Sequence, residues 1–113
     1  MQYTFLNCFT FVDDGNGVLY TPWIRNPHPE ALQGELFIQV HSINTGGVKV
    51  TLEQSITTNV ASDTVAGTTV NTVSQTTTTI GSNLGPYLRI KLEPAASAAA
   101  ILTLTVILIT KRA

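Results

Sequence analysis

The chain has 113 residues, a formal net charge of −1, and 12% charged against 43% apolar residues. Its length suits one domain, 1–113, with a two-layer core, and its near-neutral balance gives no electrostatic reason for nucleic acid or an anionic membrane as a partner. The charged share is about half that of an ordinary soluble domain; with abundant threonine, it suits a β-protein packed among neighbours.

After Met1 there is neither a basic n-region nor a clean apolar h-region. No secretory signal peptide is read, and synthesis and folding in a cytoplasm are expected. Tyr3 to Val12 carries Tyr3, Phe5, Phe9 and Phe11 on one parity and Leu6, Cys8 and Val12 on the other, which predicts a strand. Cys8, the single cysteine, rules out an intrachain disulfide and a cysteine-based metal cluster within one chain, and reads as a small buried hydrophobe. Asp13-Asp14-Gly15-Asn16-Gly17 supplies a tight reversal into Val18-Leu19-Tyr20, so a β-hairpin is expected. Those oxygens resemble half of a calcium loop, but the closing Glu of an EF-hand is missing.

Between Thr21 and Gly34, Pro22, Pro27 and Pro29 each remove a ladder donor, and an irregular excursion is expected at 21–34. Trp23 and Ile24 are too apolar to leave loose there; they either plug the end of the core or anchor a neighbouring subunit. From Glu35 to Ser42 the chain alternates, with Leu36, Ile38 and Val40 inward and Phe37 and His41 outward. Asn44-Thr45-Gly46-Gly47 turns it into a strand at 48–53, and the two runs read as a second hairpin. Outward Phe37 marks either a contact surface or a site covered by a loop.

From Ile56 to Ile80 the recurrent valines predict strands near 57–61 and 68–79 with a mobile link. Thr76-Thr77-Thr78-Thr79 offers an uncharged edge without the charges or prolines that block pairing, so association through it is expected. After a turn at 81–86, Tyr87 to Glu93 alternates strictly, with Leu88, Ile90 and Leu92 on one face. Pro94 closes that strand, and Ala95 to Ala100 reads as a tight loop or a single helical turn. The last strand, Ile101 to Ile109, sets Leu102, Leu104, Val106 and Leu108 against Thr103, Thr105, Ile107 and Ile109. The uncharged segment 95–110 is shorter than the roughly 18 to 20 apolar residues of a membrane helix, and its period of two argues for a strand.

The fold expected is an all-β antiparallel sandwich of seven or eight strands, jelly-roll-like, with Leu36, Ile38, Val40, Val50, Leu52, Leu88, Ile90, Leu92, Leu104 and Val106 in its core. His28 and His41 have no acidic partner at metal-ligand spacing, no serine sits in a nucleophile elbow, and no Gly-rich phosphate loop precedes a helix. An enzyme is not expected, and no cofactor is implied.

The strands at 35–40, 48–55 and 85–92, with the Thr-rich apolar strand ending in Lys111-Arg112, together resemble small β-sandwich virion proteins of tailed phages. That resemblance covers residues 35 to 112 and implies a capsid decoration or cement protein, in the virion, bound to the major capsid protein or other virion subunits and to its own copies. Trp23, Ile24, Phe37, Thr76, Thr77 and Thr78 are the interface candidates. The strand Tyr87-Leu88-Arg89-Ile90 also resembles discoidin-like carbohydrate-binding sandwiches, in which Trp23, Arg25 and Tyr20 would form the glycan site.

Overall fold

The computed structural model describes residues 2–26, 33–58, 63–80, 84–96 and 98–111. His28, Pro27, Pro29, the turn residues 81–83 and Arg112 lie outside them. The described residues form nine strands: β1 (Gln2–Asp13), β2 (Leu19–Tyr20), β3 (Ile24–Arg25), β4 (Gln33–Thr45), β5 (Val48–Ser55), β6 (Asp63–Val70), β7 (Gln75–Ile80), β8 (Tyr87–Pro94) and β9 (Ala100–Lys111). Two antiparallel sheets result. Sheet A runs β1-β9-β4-β7; sheet B runs β2-β8-β5-β6, with β3 also pairing β8.

The order of pairing is nested. β1 pairs β9, β2 and β3 together pair β8, β4 pairs β7, and β5 pairs β6, as in one long antiparallel ribbon folded at its tip. Pairing of β9 with β4 and of β8 with β5 rolls that ribbon into two facing sheets. This is jelly-roll connectivity. β2 and β3 share one position along β8, so nine strands fill eight places.

Alternation explains the core. Leu36, Ile38 and Val40 of β4, Val48, Val50 and Leu52 of β5, Leu88, Ile90 and Leu92 of β8 and Leu102, Leu104, Val106 and Leu108 of β9 are all buried in one cluster. Phe11, Val70, Ile80 and Ala100 complete it. All ten core residues expected from the sequence are among them.

The two hairpins do not form. β1 and β2 lie in different sheets, as do β4 and β5, so each Gly-rich turn carries the chain across the sandwich. A short turn favours pairing of its flanking strands only when no longer ladder competes. Here β4 runs along β9 from Gln33 to Thr45, and all of β5 pairs with β8. The expected strand at 68–79 is also divided. β6 ends at Val70, and residues 71–74 cross to sheet A, with Val73 64% exposed and the Ser74 hydroxyl donating to the Thr72 carbonyl. Gly67, expected in the mobile link, sits inside β6. Residues 57 and 58 of the expected strand 57–61 form a bend and a turn, and the rest of it lies outside the described residues. Ala95, Ala96 and Ala98 are bends and not helix, and Ala98 N–H donates to the Ala96 carbonyl at 2.7 Å.

Candidate functional site

The outer faces of the two sheets differ in chemistry. On sheet B, the outward parity of β8 carries Tyr87, Arg89, Lys91 and Glu93, opposite Ser55, Glu53, Thr51 and Lys49 of β5. The broken edge strand fixes what lies above them. Thr21 N–H donates to the Ile90 carbonyl and the Thr21 hydroxyl accepts from Ile90 N–H, both at 2.9 Å; farther on, Asn26 N–H donates to the Pro86 carbonyl at 2.8 Å. Between these stitches Pro22 has no N–H to give, which is why the ladder is interrupted there. The interruption sets Trp23 over β8.

Arg89 is held between two rings, its guanidinium carbon 3.9 Å from the centroid of Tyr20 and 4.3 Å from that of Trp23. Its Nε donates to Oε1 of Glu53 at 2.8 Å. Glu53 is buried, so the pair is a charge-assisted hydrogen bond in reduced solvent. A flat, weakly hydrated guanidinium suits this position; an ammonium would lose the stacking. The cation joining the aromatic residues is therefore Arg89, whereas Arg25 lies exposed on β3, opposite Tyr87. Neither Glu53 nor Arg89 is among the site candidates that the sequence suggests, although both stand on outward parities of alternating strands. Trp23 is half-buried against Arg89, and Ile24 packs against the core from β3.

Sheet A is nearly free of charge outside. Register places Thr4, Ile107, Phe37 and Thr77 in one row across its four strands, and Gln2, Ile109, Glu35 and Thr79 in the next. Phe37, Ile107 and Ile109 are half-buried by neighbours in this face. Thr77 is exposed on it, whereas Thr76 and Thr78 pair with the buried Ile38 and Leu36 and take the inward parity. β7, at one edge of sheet A, and β6, at the neighbouring edge of sheet B, comprise most of the segment expected to offer free edges.

Cys8 is exposed, against the expectation of burial. Two register steps in β1, between Thr4 and Leu6 and between Leu6 and Phe9, shift the parity so that Tyr3, Leu6, Phe9 and Phe11 stand opposite the buried residues of β9. A bulge reassigns faces in this way. Cys8 consequently leaves the inner parity and lies on the outer face, 3.7 Å from Nε2 of His41.

The acidic turn is tied by its own backbone. Oδ1 of Asp13 accepts from Gly15 N–H at 2.8 Å and from Gly17 N–H at 2.9 Å. These bonds, that of Gly17 first, hold the Asp13 carboxyl below its usual pKa. Comparison with protein-family models and with curated proteins finds no match for this chain.

Proposed function

We propose that the chain is a non-enzymatic structural subunit, a decoration or cement protein of a phage capsid shell that binds the major capsid protein or another virion subunit and associates with its own copies. The observation that carries this reading is the outer face of sheet A, where Glu35 is the one charge in the two rows and Phe37 and Ile107 stand opposite each other beside Thr4 and Thr77. Apolar side chains ringed by neutral polar ones suit the centre of a protein interface better than free solvent. β6 and β7 add backbone edges to which a neighbour's strand can be joined. Attachment would rest on Phe37, on Thr77 and the β7 edge, and on the Trp23–Ile24 corner.

The test is cosedimentation of the purified protein with shells assembled from the major capsid protein encoded beside it. Binding that survives about 1 M salt and is lost in Phe37→Asp, with an unchanged melting temperature, supports the reading. Release by salt overturns apolar attachment, and a gene neighbourhood without capsid or portal genes overturns the virion assignment.

A carbohydrate-binding role is the second reading, favoured by the Tyr20–Arg89–Trp23 stack and its Glu53 partner. Tyr20 is 46% exposed and lies beside groups able to hydrogen-bond sugar hydroxyls. Glycan-array binding by a monomer, abolished in Trp23→Ala, would establish this reading in place of the first.

A further inference from the structure

Cys8 and His41 belong to strands that do not pair, because β9 runs between β1 and β4. Two bulges bring them together. On β1 the register passes from Leu6 opposite Val106 to Phe9 opposite Leu104, so Asn7 and Cys8 face the single residue Thr105. On β4 it passes from Val40 opposite Leu104 to Ser42 opposite Thr103, which leaves His41 as the extra residue. Cys8 adopts φ 50, the one positive value at a non-glycine among the described residues. Bulges re-aim side chains, and here both aim across the same strand.

The resulting cluster holds a nucleophile and a base. Sγ of Cys8 is 3.7 Å from Nε2 of His41, and Oγ1 of Thr105 lies 2.7 Å from that nitrogen while accepting Cys8 N–H at 3.0 Å. Cys8 and His41 are exposed, so a reagent can reach the sulfur; Thr105 is buried and fixes both from below. Among the described residues no third histidine, cysteine, aspartate or glutamate gathers with them into a group that could hold a metal ion. A thiol within reach of an imidazole is the arrangement of an activated nucleophile.

We propose that Cys8 is a reactive thiol and a site of covalent modification by low-molecular-weight disulfides, with His41 as its proton acceptor. Nε2 of the imidazole, protonated at Nδ1, takes the proton from Sγ, and the Thr105 hydroxyl accepts the new Nε2–H bond. The Cys8 sulfur attacks one sulfur of the disulfide; the new S–S bond forms as the old one breaks. The departing thiolate takes the proton back from Nε2. One disulfide is consumed and one is made, so no other oxidant is required.

The experiment uses the full chain with oxidised glutathione, read by intact mass, and with an aromatic disulfide whose released thiol is coloured, read by stopped flow. At neutral pH, wild type is expected to react at least about tenfold faster than His41→Gln. It should also react faster than its own urea-unfolded chain, and Cys8→Ser should gain no adduct. Because His41 is exposed, the Gln variant should melt with wild type. Equal rates for wild type and His41→Gln overturn the proposal, as does a native chain that reacts no faster than the unfolded one.

Discussion

Glu53 and Arg89 stand directly opposite each other on β5 and β8, joined at 2.8 Å, with two aromatic rings closing over the cation. Glu53→Gln keeps the shape and removes the charge, and should cost about 1–3 kcal/mol, the range of a charge-assisted hydrogen bond with a buried partner. A double-mutant cycle with Arg89→Ala, followed by urea unfolding, should give a coupling energy of at least about 1 kcal/mol. Additivity would mean that solvent screens the pair.

The faces of the strands were legible because a period of two repeats over several residues: Leu88, Ile90 and Leu92 are buried as the alternation required. The partners were not, because Gly-rich turns specify a reversal without saying which sheet receives the returning strand. β1 shows another limit. Aromatic residues at 3, 5, 9 and 11 read as one face, but bulges insert residues whose only trace is the register with β9, some hundred positions away in the chain. The same bulges concealed the meeting of Cys8 and His41. Trp23 was conspicuous by type, and its partner Arg89 could be found only once β3 was laid beside β8.

Gly46 makes the crossing from sheet A to sheet B possible. It sits at φ +70, and a Cβ there would collide with the Ala99 carbonyl oxygen and come within 3.0 Å of Cα of Ala100. Gly46→Ala therefore combines a disfavoured backbone conformation with a clash against backbone, and should cost about 1–3 kcal/mol. Thermal unfolding checks this. A variant melting at the wild-type temperature would show that the loop and the start of β9 can separate freely.

The Asp13 turn makes a pH-dependent contribution. Its carboxyl has a lower pKa folded than unfolded, so the stabilisation is fully present above the unfolded value and is lost as pH falls through the folded one. Acid unfolding of Asp13→Asn, followed by circular dichroism, should show a weaker dependence on pH below about 4 than wild type does. An unchanged acid transition would show that the N–H groups of Gly15 and Gly17 bind a neutral amide oxygen as well as a carboxylate.

Leu104 and Ile107 lie three residues apart on β9 and belong to opposite faces of sheet A, the first fully buried and the second in the row with Phe37. Leu104→Ala opens a void between the sheets and should cost about 2–5 kcal/mol, since close-packed neighbours relax only in part. Ile107→Thr matches the threonines around it and removes apolar area that is already partly in water, so its cost should stay under about 1 kcal/mol. Urea midpoints for the two variants at equal m-values measure the difference. Two equal losses would mean that the outer face of sheet A is covered within the isolated chain, which would remove the surface on which the proposed shell attachment rests.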